Sequence, residues 1–220
     1  MAFVRQPVSD GWRWRLSDSN GNETADSLPL RQWRQASSFP SVIYSELLHH
    51  GLIPDPNIGE NERLVQWAGD ADWEYSCLFR ATSAVSRQAC LELVFEGLDT
   101  FCTVWLNGSQ ILVSDNMFLP HRVDVRRLLK DENELRLVFE STPKKSTELE
   151  HRYGPRKGPM SIMRDPRANL VRKARVGQSI KNDKSAPSYI CQCSLVLTVS
   201  LGLGLGSQIV DLWALHAYLS

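Results

Sequence analysis

The hydrophobic and polar positions of this 220-residue chain alternate more often than they recur at helical spacing. Trp12-Arg13-Trp14-Arg15-Leu16 switches between apolar and charged residues at period two, the pattern of a half-buried strand. Residues 73–82 repeat it, with Trp73, Tyr75, Cys77 and Phe79 on one face. Cys90 to Glu96 is a short apolar run, and Glu134 to Glu140 sets Leu135, Leu137 and Phe139 against Arg136 and Val138. Phe101 to Leu106 and Gln110 to Val113 flank Asn107-Gly108. That pair predicts a tight hairpin, because a type I′ turn needs positive φ at both central residues. Arg122 to Val125 reads as one more short strand.

Two helical pieces interrupt the strands. Ser41 stands where an N-cap belongs, Val42, Leu47 and Leu48 share a face, and Gly51 suits the left-handed position after the last turn. Asn61 to Trp67 predicts a second turn or two, and Arg126 to Lys130 a single one. Between the first two pieces, Pro54 and Pro56 forbid either ladder. About seven short strands with regular turns indicate an all-β, antiparallel sandwich rather than a doubly wound sheet.

Charge divides the chain although 25 basic and 25 acidic residues cancel overall. Residues 1–110 hold 8 basic and 14 acidic groups, and 111–220 hold 17 and 11. Zero net charge argues against a nucleic-acid partner bound by neutralising many phosphates. Residues 144–184 hold 12 basic against 4 acidic groups, and Pro143, Pro155, Pro159 and Pro166 predict that 144–170 is an irregular, exposed loop facing an acidic neighbouring domain. Residues 185–220 carry one charge, Asp211. Their apolar stretch from Ile190 to Val210 approaches the length of a membrane span, but Gln192, Gln208 and three glycines weaken it. A membrane partner is therefore not expected.

Candidate chemistry is sparse. The five cysteines, Cys77, Cys90, Cys102, Cys191 and Cys193, lack disulfide or zinc spacing and read as small apolar side chains in a reducing compartment. With no signal-peptide pattern at residues 1–7, the expected location is cytoplasmic. The acceptor patterns Asn22-Glu23-Thr24 and Asn107-Gly108-Ser109 then stay idle. His49, His50, His121, His151 and His216 show no metal-ligand spacing, and His49-His50 suits a helix C-terminus. The run Gly202-Leu203-Gly204-Leu205-Gly206 does not cradle a phosphate, since no Lys-Ser/Thr follows. Glu96 and Asp99 flank Gly97-Leu98 and read as cap or turn residues before they read as a glycosidic acid pair. Trp12, Trp14, Trp33, Trp67, Trp73 and Trp105 suit a core, with sugar stacking as the competing reading. No catalytic, cofactor-binding or metal-ligating residue is assigned, and no cofactor is expected.

Several ordered strings carry a resemblance. Phe39-Pro40-Ser41-Val42, Gly51-Leu52-Ile53-Pro54-Asp55-Pro56, Asn61-Glu62, Gln66-Trp67 and Asp72-Trp73-Glu74-Tyr75 are among them. The most telling is Leu93-Val94-Phe95-Glu96-Gly97-Leu98-Asp99-Thr100-Phe101, continued by Val104-Trp105-Leu106-Asn107-Gly108, Asp115-Asn116-Met117-Phe118 and Val171-Arg172-Lys173-Ala174. Over residues 8–175 the chain resembles the N-terminal, sugar-binding domain of fungal β-mannosidases of glycoside hydrolase family 2. The resemblance implies a jelly-roll (galactose-binding-like) sandwich that packs on an immunoglobulin-like domain and a catalytic (β/α)₈ barrel. It also implies a family activity, hydrolysis of terminal β-D-mannose, carried by two barrel glutamates that no residue here matches. After Arg175 the family pattern breaks. The break predicts a sandwich domain over 1–175 and an aberrant tail over 176–220, disordered or weakly helical and outside the sandwich. The expected whole is a truncated, non-catalytic fragment whose conceivable ligand is a mannose-containing oligosaccharide. A stand-alone carbohydrate-binding module and a tail-anchored interaction protein are the alternatives.

Overall fold

A computed structural model of the chain describes residues 6–17, 28–83, 91–153 and 199–202. Among the described residues, ten strands form two antiparallel sheets. In chain order they are β1 (Gln6–Pro7), β2 (Arg13–Leu16), β3 (Arg34–Gln35), β4 (Trp73–Phe79) and β5 (Glu92–Phe95), then β6 (Cys102–Leu106), β7 (Ser109–Ser114), β8 (His121–Asp124), β9 (Asn133–Phe139) and β10 (Val199–Gly202). One sheet runs β1-β10-β5-β8 and the other β3-β2-β4-β9-β6-β7. Leu93 and Phe95 of the first join Trp14, Val104, Leu106, Leu135 and Leu137 of the second in one buried core. Alternation thus places the core correctly: β9 buries Leu135, Leu137 and Phe139 and turns Glu134, Arg136 and Val138 outward.

The hairpin forms where Asn107-Gly108 predicts it. Asn107 has φ 52° and Gly108 φ 82°, and Leu106 pairs with Ser109 across the turn. Asn107 Nδ2 donates to the Leu128 carbonyl at 2.7 Å and to Asn133 Oδ1 at 2.9 Å, while its Oδ1 accepts from the Glu134 amide at 3.0 Å. An amide so engaged is a structural brace of the turn.

Helix α1 (Ile43–His49) ends as its sequence suggests: Gly51 takes φ 66°, and the Gly51 and Leu52 amides reach the Leu48 and Leu47 carbonyls. Its start differs. Val42 is the N-cap and no side chain caps it, because the Ser41 hydroxyl donates instead to the buried Glu46 carboxylate at 2.7 Å. The face also differs: Ile43, Tyr44 and Leu47 are buried and Leu48 is exposed. Asn61 to Trp67 divides into α2 (Asn61–Leu64) and a 3-10 turn over Gln66–Ala68.

Two expectations fail. Residues 144–153 are not irregular; they belong to helix α3 (Thr142–Tyr153). Pro143 falls in its first turn, where a missing N–H leaves no bond unmade. Ser141 caps it, its Oγ accepting from the Lys144 amide at 3.3 Å and donating to the Gly69 carbonyl at 2.9 Å. The second concerns four residues of the tail. Val199–Gly202 is a strand inside the sandwich, pairing Val199 with Phe95 and Gly202 with Glu92 on one side and Ser200 with Pro7 on the other. The reason is that β5 has only β8 on its far side, and four extended residues satisfy its remaining backbone groups whatever their side chains. This strand also interrupts 190–210, so that stretch is not one continuous helix; among the described residues no helix is long and apolar enough to cross a membrane. Asn22, Cys90, residues 154–198 (with Val171–Ala174, Cys191 and Cys193), residues 203–220 and the rest of the glycine run lie outside the described residues.

Candidate functional site

The outward face of the six-stranded sheet carries the densest arrangement of chemistry. Pairing places Arg15 opposite Glu74, and Arg13, Ser76, Arg136 and Trp105 in one row across β2, β4, β9 and β6. Glu74 lies at the centre with its side chain 2% exposed. Its Oε2 accepts from Arg15 Nε at 2.6 Å and its Oε1 from Arg136. The next step along the sheet joins Ser76 Oγ and Arg13 to Glu134 Oε1 at 3.0 and 3.4 Å.

Two indoles close this ladder. The guanidinium carbons of Arg13 and Arg15 lie 4.8 and 4.7 Å from the Trp33 ring centroid, and that of Arg136 lies 5.3 Å from Trp105. Cation–π contact holds the arginines for their carboxylates and places a guanidinium over each ring. The alternation in β2 therefore encodes two functions. Trp12, Trp14 and Leu16 build the core, and Arg13 and Arg15 build a self-neutralised outer surface.

The other acids considered from sequence are not brought into a catalytic pair. Glu96 is exposed at the end of β5, whereas Asp99 is buried and accepts from the Thr100 hydroxyl. Glu46 is buried and takes the Ser37 amide at 2.8 Å besides Ser41. Glu92 pairs with Arg122 at 3.6 Å. A retaining or inverting glycosidase needs two facing carboxyls with room for a sugar between them. Asp99, Glu46 and Glu92 are instead each tied to a neighbour in the fold.

The tryptophans divide three ways. Trp12, Trp14 and Trp73 are core, with Trp12 Nε1 on the Val8 carbonyl and Trp73 Nε1 on that of Ala68, both at 2.9 Å. Trp33 and Trp105 are the stacked, half-buried pair. Trp67 stands 38% exposed beside Trp73. His49 and His50 do occupy the end of α1, where His50 meets the Gln35 carbonyl at 3.0 Å and the edge of Trp14. Among the described residues no group of His, Cys, Asp and Glu is placed to hold a metal ion. Cys77 and Cys102 are buried free thiols, and burial pushes the Cys77 thiol up to about 11. The Arg–Glu–Trp ladder is not visible as a site in sequence. Its only signal is that the polar residues of neighbouring strands have matching opposite charges, which becomes evidence once register is known.

With the geometry fixed, comparison with known proteins gives the family. Residues 14–179 match the glycosyl hydrolase 2 galactose-binding domain-like family. The chain belongs to it. β-Mannosidase B of Thermothelomyces thermophilus is 44% identical over 175 residues, covering 77% of this chain and 19% of that protein. β-Mannosidase B of Aspergillus oryzae is 36% identical over 176 residues, covering 79% of this chain and 20% of its own. A crystal structure of β-D-mannosidase from Dictyoglomus thermophilum superposes with a TM-score of 0.68 at 28% identity, over 91% of this chain and 22% of that one. The chain thus spans about a fifth of the length of these relatives. The galactose-binding-like jelly roll expected from the quoted motifs is the fold of the described residues, β10 included.

Proposed function

We propose that this chain serves as the non-catalytic, galactose-binding-like domain of a β-mannosidase-type glycosidase, and that it does not cleave β-mannosides by itself. The observation that carries this reading is the engagement of its buried acids: Glu46 with Ser37 and Ser41, Glu74 with Arg15 and Arg136, Asp99 with Thr100. General acid catalysis and nucleophilic attack both need a carboxyl facing substrate. In this domain the carboxyls hold strands and loops in register. The relatives, β-mannosidases several times longer, supply the reaction class. Their sugar, a terminal β-mannoside, is then met by the assembled enzyme rather than by the stacked indoles of this sheet. The unbridged thiols of Cys77 and Cys102 suit the cytoplasmic location expected for the chain.

Incubating the purified chain with a chromogenic β-mannoside tests the reading. The expected result is no release above a heat-treated control. Turnover that co-purifies with the chain and disappears in a Glu74→Gln or Asp99→Asn variant would overturn it.

A further inference from the structure

The turn pair Asn107-Gly108 is one of two Asn-Gly dipeptides in the chain, the other being Asn20-Gly21, outside the described residues. Asn-Gly is the dipeptide most prone to deamidation, because no Cβ crowds the attacking glycine nitrogen. The Gly108 nitrogen attacks Asn107 Cγ and loses its proton to a solvent base as the new N–C bond forms. The side-chain NH2 takes up a proton and leaves as ammonia, and a five-membered succinimide remains. Water then adds to either ring carbonyl and breaks that carbon's bond to the Gly108 nitrogen, leaving aspartate or isoaspartate. The balance is one water in and one ammonia out, with no change of oxidation state. Solvent reaches the pair: Gly108 and Ser109 are exposed, and a Cβ built at Gly108 meets nothing within 4 Å.

The fold ties down the group that has to move. Ring closure needs Asn107 to rotate its amide onto the Gly108 nitrogen, and four hydrogen bonds oppose the rotation. The Asn107 N–H donates to the Glu134 carbonyl at 2.9 Å, and Oδ1 accepts from the Glu134 amide at 3.0 Å. Nδ2 donates to the Leu128 carbonyl at 2.7 Å and to Asn133 Oδ1 at 2.9 Å. The product, in contrast, does not fit this brace. A carboxylate oxygen in place of Nδ2 would face two acceptors and could donate to neither. Asn133 is buried and cannot reverse its own amide to help, since its Oδ1 also takes the Lys130 amide at 2.8 Å and its Nδ2 donates to the Lys130 carbonyl at 2.9 Å. Isoaspartate would further lengthen by one carbon a two-residue turn that sets the pairing of Leu106 with Ser109. We propose that Asn107-Gly108 is a deamidation site that the folded hairpin keeps closed and that opening of the hairpin exposes, so that the conversion marks, irreversibly, chains that have unfolded there.

The test holds the full chain in mildly alkaline buffer, with and without guanidinium chloride. Mass spectrometry of the peptides carrying each Asn-Gly pair follows the gain of one dalton, and an isoaspartate-specific methyltransferase labels the second product. In denaturant Asn107 and Asn20 should react alike, because sequence alone then governs both. In native buffer Asn107 should react at least about tenfold more slowly than in denaturant, since only the open fraction is competent. Asn133→Ala, which removes one partner of the amide, should raise the native rate, whereas Asn133→Asp, which keeps an acceptor oxygen, should raise it less. Asn107→Asp should melt several degrees below the parent at neutral pH, and the gap should narrow in acid, where its carboxyl is protonated and can donate one bond. Equal Asn107 rates in native buffer and denaturant overturn the closure, and this comparison needs no variant to fold. An Asn107 that stays unconverted in denaturant while Asn20 reacts overturns the site itself. An Asn107→Asp chain that melts with the parent overturns the irreversibility.

Discussion

Replacing Gly108 by valine isolates one backbone requirement of the fold. Gly108 sits at φ +82°, and a Cβ built there meets nothing within 4 Å. Crowding by neighbours therefore contributes nothing, and the whole cost is intrinsic to the left-handed backbone. For a residue with a Cβ that cost is about 1–2 kcal/mol, at the upper end for a β-branched side chain. Loss of glycine's freedom in the unfolded chain returns about 0.4–1 kcal/mol. From the upper end of the cost, the net expectation is a loss of about 1–1.5 kcal/mol for Gly108→Val. At roughly 2–4 °C per kcal/mol for a domain of this size, its thermal midpoint should fall about 2–6 °C. Gly108→Asn should cost less, since asparagine tolerates this region. Far-ultraviolet circular dichroism during heating and urea titration gives both numbers. An unchanged midpoint for the valine variant would refute the reasoning. So would an asparagine variant as damaged as valine, because the cost would then not lie in φ.

Glu74→Gln keeps the shape of the central carboxylate but removes its charge. The expected loss is about 1–2 kcal/mol by urea unfolding, small for a buried ion pair because the half-exposed Arg136 can be rehydrated. An unaltered curve would show that the ladder is not stabilising. Ser200→Pro removes an amide from a strand paired with both Val94 and Pro7, and should cost about 1–3 kcal/mol of the stability of the whole sandwich. A chain ending at Arg175 should melt lower still, the opposite of what the tail's composition suggests. Equal midpoints for these and the parent would return residues 199–202 to the status of a passenger.

Strands are legible in this sequence where the hydrophobic pattern is binary. Arg13–Leu16 and Asn133–Phe139 bury every second residue, and each shows period two; Cys102–Leu106 also buries every second residue, but its sequence reads as an apolar run. Strand β4 is legible only in part. Trp73, Tyr75 and Cys77 point inward as their alternation predicts, but Glu74 and Ser76 on the other face are buried as well. The Glu74 carboxylate meets Arg15 and Arg136, 59 and 62 positions away, which no local pattern contains. Two further differences arise because a residue type does not fix local structure by itself. Proline density hides α3, although a proline in the first helical turn satisfies the helix rather than breaking it. Serine before a helix suggests a cap at Ser41, although a buried carboxylate one turn on competes for the same hydroxyl. The outer ladder needs strand register before its charges can be paired, so it is beyond reach of sequence alone.

The position of β10 separates what the sheet requires from what the family sequence specifies. The family match ends at residue 179, whereas the strand that fills the gap between β1 and β5 begins at Val199. On the inner side of β5, Leu93 and Phe95 are fully buried, so the edge beside them borders the core rather than open solvent. Unpaired amides and carbonyls there would be costly, and any extended segment within reach relieves that cost. Backbone pairing is indifferent to side-chain identity, which is why four residues from a compositionally foreign stretch suffice. Side-chain identity governs the opposite sheet, where Glu74 must meet Arg15 and Arg136 and where Trp33 and Trp105 must meet their arginines. The four-stranded sheet adds to its backbone pairing the buried Leu93 and Phe95 and one ion pair, Glu92 with Arg122, none of which involves β10. The strings that carry the family resemblance run through both sheets, Leu93–Phe95 in one and Trp73–Tyr75 and Val104–Leu106 in the other, so the family sequence specifies the partners on either side of β10 without specifying β10 itself.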